Sequence, residues 1–274
     1  MAVSLKPVKF GFVPANRGMF SAVLAAKTRK QTLEVLQGMG FEVVVPNEEQ
    51  TKVGCVESID EADLCAKLFR EAEVDGIIIG AVNFGDEQAA ARVVRQARLN
   101  VPVLIFGGQE EEVLTMTTPR RDSFCGLLSI GEALRQIGVK YSIARTPICS
   151  PKDESFKADV DWFARVCRVV NGVRNARYGQ VGARPDSFWT CRFDEKQLQR
   201  LGPTAVVVDL SELIAGAKKL TDDDPEVQAV AKSIRAYADT SAIHDESALR
   251  SAKLEIWLQR WGEKNRIDAF GISN

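Results

Sequence analysis

The chain has a single histidine, His244, among 274 residues, and no two of its six cysteines stand in C-x-x-C spacing. A zinc centre built from Cys and His is therefore not expected. Basic residues never cluster densely; "TPRR" at 118–121 is the nearest approach, and the formal net charge is −1. That charge gives no reason to expect nucleic acid or an anionic membrane as a partner. No apolar run approaches the ~18 residues of a membrane span. The opening "MAVSLKPVKFGFVPA" does not read as a signal peptide. Scattered single cysteines then fit reduced thiols in the cytoplasm. Also missing are G-x-S-x-G, a P-loop and a G-x-G-x-x-G after the first strand, which weakens nucleotide-binding and hydrolase readings.

What is present is an ordinary globular composition, 45% hydrophobic and 27% charged, arranged with a clear rhythm. Short apolar runs, "VKFGFVPA" (8–15), "FEVVVP" (41–46), "DGIIIG" (75–80) and "VPVLIFGG" (101–108), alternate with stretches of helical period at 20–40, 58–74 and 87–99. Strands without polar alternation, separated by helices, predict a parallel sheet covered on both faces. A polar stretch at 109–122 reads as a loop over the sheet's carboxyl edge. A helix over 123–138, a strand over 139–144 and a long helix over 151–176 follow. From 178 the plan repeats with about three strands, "YGQV", "TAVVVDL" (204–210) and Ile267–Ile272. The expected fold class is α/β, with two Rossmann- or flavodoxin-like parallel-sheet domains, the second small and incomplete. The domains are expected at 1–150 and 178–274, with 151–177 as a connecting helix.

Ligands gather at the carboxyl ends of strands in such folds, so three loops stand out. "PANRG" (14–18) offers Arg17 for a substrate hydroxyl or anion beside Gly18; the bland alternative is a solvated turn arginine. "NFGDE" (83–87) offers an amide, Asn83, and an aromatic face, Phe84, suited to a sugar, although Asp86 and Glu87 also suit a helix N-terminus. "VGARPDSFWTCRFDE" (181–195) crowds Gly182, Arg184, aromatics and a thiol at a strand end. Such a strand end suits carbohydrate binding; the bland alternative is a packed turn with Phe188 and Trp189 as core plugs. His244 is read as a surface or capping residue and the run Asp222–Asp224 as helix-start charge, while Asp209 and Glu212 read equally as acid/base groups or as caps of the following helix.

The third loop and its sequel, "GARPDSFWTCRFDEKQLQRLGPTAVVVDLSELI", resemble the second domain of the L-fucose and L-arabinose isomerase family, particularly its fucose-isomerase-like members. "PANRG", "NFGDE", "PVLIFGG" and "CGLLSIGEALRQIGVKY" resemble that family's first domain in order, and the closing "KLEIWLQRWGEKNRIDAFGISN" resembles the helix and strand before its catalytic segment. The resemblance implies a metal-dependent aldose–ketose isomerase using Mn²⁺ or another divalent metal. A proton would move between C1 and C2 of an open-chain sugar through an enediol. It implies sugar contacts at Arg17, Asn83, Phe84, Gly182 and Arg184, and self-association into a homo-oligomer. The family's metal ligands follow the equivalent of "IDAFGISN". The chain is accordingly expected to be the N-terminal, substrate-binding and oligomerisation portion, binding no metal and inactive alone. A different class remains open: a non-catalytic cytosolic sugar-binding or sensor module with a periplasmic-binding-protein-like pair of domains.

Overall fold

The computed structural model describes residues 7–111 and 113–272. Its strands and helices, in chain order, fall into two compact units, Met1–Asn171 and Gly172–Asn274.

The first unit carries five parallel strands: β1 (Lys9–Ala15), β2 (Glu42–Val44), β3 (Gly76–Ala81), β4 (Val103–Gly108) and β5 (Ser142–Cys149). They lie in the order β2-β1-β3-β4-β5. Helices α2 (Ile59–Ala72), α3 (Glu87–Ala97) and α4 (Ser123–Gln136) cover one face, where Phe69, Ile77, Ile79, Ile105 and Leu134 form a core. Helices α1 (Ala22–Gly38) and α5 (Glu154–Arg174) cover the other, where Phe10, Phe12, Ile78, Phe106, Phe156 and Phe163 pack together. Because β3 and β4 are buried at every position, both faces demand apolar side chains, and the sequence supplies unbroken runs instead of alternation. This is the expected doubly wound α/β plan. The division between units falls inside α5, whose buried residues Phe156, Val160, Phe163 and Cys167 belong to the first unit's core.

One strand departs from expectation. β5 runs Ser142–Cys149 and not 139–144. Its register against β4 shifts between Ile105 and Gly107, so Arg145, Thr146 and Pro147 bow outward. An edge strand tolerates a proline and a bulge that an interior strand would not, and the polar tract therefore hid the strand's second half.

The second unit holds three parallel strands, β6 (Arg177–Val181), β7 (Thr204–Val208) and β8 (Ala269–Ile272), in the order β7-β6-β8. Helices α6 (Glu195–Leu201), α7 (Leu210–Ala217), α8 (Pro225–Tyr237) and α9 (Asp245–Asn265) accompany them. Val181 and Val208 pack with Leu213 of α7 and Leu258 of α9, and α8 lies against α9 through Val227, Ala231, Ala252 and Ile256. β8 begins two residues later than expected. Arg266 turns left-handed (φ 53°) and the Ile267 amide donates back to the Gly262 carbonyl at 2.9 Å, closing α9 before extended pairing can start. All four β8 residues are exposed, and Ser273 and Asn274 of the expected terminal segment lie outside the described residues. No described helix is long and apolar enough to cross a membrane.

Candidate functional site

β1 leads through α1 to β2 on one side, and β3 leads through α3 to β4 on the other. The carboxyl ends of β1 and β3 therefore flank the point where the winding reverses, the crevice in which open α/β sheets hold ligands. Three of the residues singled out in the sequence meet there. Asn83, fully buried, accepts the Arg17 and Gly85 amides on its Oδ1, each at 3.1 Å, and its Nδ2 donates to Asn16 Oδ1 at 2.5 Å. The Arg17 guanidinium lies 4.5 Å from the centroid of the Phe84 ring. Phe20 stacks on the same ring, its centroid 5.4 Å from that of Phe84. Arg17 also donates to the Glu87 carboxylate and lies 3.8 Å from Asp86. Asp86 meanwhile caps α3 by accepting from the Ala89 amide at 2.8 Å, as its helix-start reading expects.

Phe20, Asn16 and Glu57 of this cluster were not singled out in the sequence. Asn16, inside "PANRG", is fully buried, and its Nδ2 donates to the Glu57 carboxylate. Glu57 arrives through an isolated parallel bridge, Ala15 to Val56, and holds Lys52 at 3.2 Å. An asparagine at the end of each of two neighbouring apolar strands was the available signal. Glu57 carries none, because it lies on no strand end and precedes a helix cap, Ser58 with Glu61.

At the end of β4 the polar stretch 109–122 is tied down by Arg121, which is almost wholly buried. Its Nε donates to the Gln109 carbonyl at 2.8 Å and its Nη2 to Glu111 at 3.1 Å. Burial pushes its pKa below the usual arginine value.

Gly182 and Arg184 lie in the second unit and line a cavity of ≈ 720 Å³ together with Tyr178, Phe188, Phe193 and Ile272. Gly182 has φ 80°, donates to the Val208 carbonyl at 2.8 Å, and a Cβ there would sit 2.6 Å from Leu210 Cγ. Only glycine fits that turn. The walls are mainly aromatic and aliphatic. Phe188 and Trp189 are 53% and 76% exposed, so they are not core plugs. Asp209 and Asp224 accept from the amides of Ser211 and Glu226 and cap α7 and α8. Side-chain hydrogen bonding to Ser211 holds the Asp209 carboxyl below the usual range. His244 is the N-cap residue of α9 without a side-chain capping bond.

Among the described residues no three His, Cys, Asp or Glu side chains gather in a way that could hold a metal ion.

A family model described as fucose/sulfoquinovose isomerase, N-terminal domain, matches residues 11–174. No curated protein matches the chain. Among solved structures, the chain is similar to an ABC-transporter periplasmic solute-binding protein from Actinobacillus succinogenes 130z with bound D-allose. Identity is 8%, over 96% of this chain and 77% of that one, with a TM-score of 0.25. At that score the likeness carries no argument.

Proposed function

The chain belongs to the fucose/sulfoquinovose isomerase family, whose N-terminal domain matches residues 11–174, and from this premise we propose that it is the substrate-binding and oligomerisation portion of a metal-dependent aldose–ketose isomerase. The observation that carries the reading is the meeting of Arg17, Asn83 and Phe84 at the β1/β3 crevice. A sugar presents hydroxyls along its edge and C–H groups on its face. A guanidinium with spare donors answers the first, and the part of the half-buried Phe84 ring left open beside Arg17 and Phe20 answers the second.

Charge balance at the site narrows the ligand. Arg17 is already matched by Glu87 and Asp86, so an incoming anion would meet two carboxylates. A neutral sugar such as L-fucose suits the site better than a sulfonated one.

The residues described do not fit the divalent metal that this isomerisation uses. No step of the proton transfer is therefore assigned to them; their share is to bind and orient the sugar. Gly182 and Arg184 are proposed separately, as sugar contacts of the second unit's own cavity.

The test is saturation-transfer NMR with L-fucose and a sulfonated hexose on the 274-residue chain. Transfer to L-fucose that disappears in Arg17→Met and Phe84→Ala supports the reading. Equal transfer in parent and variants, or preference for the sulfonated sugar, overturns the assignment. Interconversion of an aldose and a ketose by this chain with Mn²⁺ alone would overturn the division of labour.

A further inference from the structure

We propose that Asn16 and Asn83 are positioning residues that act through a hydrogen-bond chain of fixed direction, Glu57–Asn16–Asn83, which sets where Arg17 and Phe84 point. The inference rests on the reading of that crevice as a sugar site, although its structural half can be tested without a sugar.

The direction follows from chemistry. Two backbone amides, of Arg17 and Gly85, converge on one end of the Asn83 side chain, so that end must be the oxygen. Its NH₂ then faces Asn16, which must present oxygen in return. The NH₂ of Asn16 in turn faces Glu57, whose carboxylate can only accept. The other Glu57 oxygen takes Lys52 at 3.2 Å. Every donor along the chain points toward Glu57. Both amides are fully buried, so neither can borrow water to repair a reversed contact. Glu57 also packs against the loop bearing Arg17: a Cβ on Gly18 would lie 3.4 Å from Glu57 Oε1. The carboxylate is thus the anchor, and the two amides carry its orientation to both strand-end loops.

Asn83→Asp exposes this logic. The introduced carboxylate still accepts from the Arg17 and Gly85 amides, but its second oxygen now demands a donor. Asn16 must turn over, and its oxygen then confronts the Glu57 carboxylate. Adding Glu57→Gln resolves the conflict, because the introduced amide can donate to Asn16 through its NH₂ and still accept from Lys52 through its oxygen. A residue that only fills space would show no such rescue.

The experiment compares parent, Asn83→Asp, Glu57→Gln and the double variant by two readouts. The first is the upfield ring-current displacement of the Arg17 side-chain NMR signals caused by Phe84. The second is L-fucose saturation transfer. The expected result is loss of the displacement in Asn83→Asp and its recovery in the double variant to the level of Glu57→Gln alone, with sugar transfer following the same order. If Asn83→Asp fails to fold and the double variant folds, the proposal is equally supported. A displacement unchanged by Asn83→Asp, or a double variant no better than the single one, overturns it. Should no form take up L-fucose while the displacement follows the expected order, the sugar reading fails and the positioning chain stands.

Discussion

The backbone of Gly126 lies against Phe84 so closely that a Cβ on Gly126 would stand 1.5 Å from the Phe84 carbonyl oxygen. The first turn of α4 is thereby pressed onto the loop that presents the aromatic face of the site. Gly126→Ala must push one of the two away, and overpacking of this kind costs about 1–3 kcal/mol. The expected outcome is a lowered urea midpoint together with altered ring-current shifts at Arg17. A variant with parent stability and parent shifts would show that α4 and the loop are not in contact in solution.

The buried thiols give a pH prediction. Burial raises the Cys55, Cys149 and Cys167 pKa values from 9.0 to about 12, and pushes Cys65 up as well. The folded state keeps these groups neutral, whereas the unfolded chain ionises them near the ordinary value. Their contribution is therefore fully present below pH 9.0 and is lost as pH rises toward about 12. Urea midpoints should fall through that window, and fall less steeply when Cys55 and Cys149 are replaced by Ala. Native alkylation should mark the exposed Cys125 and Cys191 and spare the four buried thiols; labelling of Cys65 in folded protein would contradict this.

Much of the site was legible because two neighbouring strands are uniformly apolar. Where such a run stops, the backbone has reached the sheet's edge, and the next polar residues must face the crevice. Arg17, Asn83 and Phe84 were found by that logic. Glu57 was hidden because only a tertiary bridge between Ala15 and Val56 brings it in, and no local period records a contact of that range. Gly126 reads in sequence as one more small helical residue; its role depends on what lies above it. In the second unit, Phe188 and Trp189 look like core by composition, yet the loop carrying them leaves both exposed. Aromatic character alone does not distinguish a buried ring from one that walls an open cavity.

Gly216 sets the packing of the second unit. A Cβ there would lie 1.8 Å from Trp257 Nε1, so α7 and α9 meet with an indole filling the space a side chain would need. Gly216→Ala should destabilise this unit by about 1–3 kcal/mol. Trp fluorescence during denaturation should report the loss, since Trp189, Trp257 and Trp261 belong to the second unit and the last two stack 6.3 Å apart, with Trp162→Phe removing the one tryptophan of the first unit. Hydrogen exchange at the β3 and β4 amides should stay at parent levels. Equal loss of protection in both units would refute a local effect.

Arg121 should act as the latch of the 109–122 loop. Its guanidinium is buried where it donates to the Gln109 carbonyl and to the half-exposed Glu111, and hydrogen bonds to charged groups are worth about 1.5–3 kcal/mol. Arg121→Ala is expected to speed chymotryptic cleavage near Leu114 and Met116, which are already exposed. Arg121→Lys should not restore resistance, because one ammonium cannot reproduce the planar fork that reaches both acceptors. Cleavage at the parent rate in Arg121→Ala would mean that the loop is held by the Glu110 carboxylate on the Arg121 and Asp122 amides alone.

The contact between Arg17 and Phe84 can be isolated from the ion pairs around it. Arg17→Lys preserves a positive charge for Asp86 and Glu87 but removes the flat guanidinium over the ring; Phe84→Leu preserves apolar bulk but removes the ring's negative face. Phe84→Leu deletes the ring contact outright, and Arg17→Lys deletes its planar stacking, the part an ammonium cannot reproduce. Their double-mutant cycle should return a coupling of about 0.5–1 kcal/mol, the range for cation–π contacts that remain partly solvated, as Arg17 is. The sugar readout should behave differently from stability. A guanidinium stacked on a ring is held with its free donors in plane, so a sugar hydroxyl meets them without further ordering, whereas a lysine ammonium must be immobilised at the moment of binding. L-fucose transfer should thus drop in Arg17→Lys by more than the small change in stability suggests. Coupling near zero with transfer unchanged would mean that charge alone, and not the stacked geometry, is what the crevice supplies.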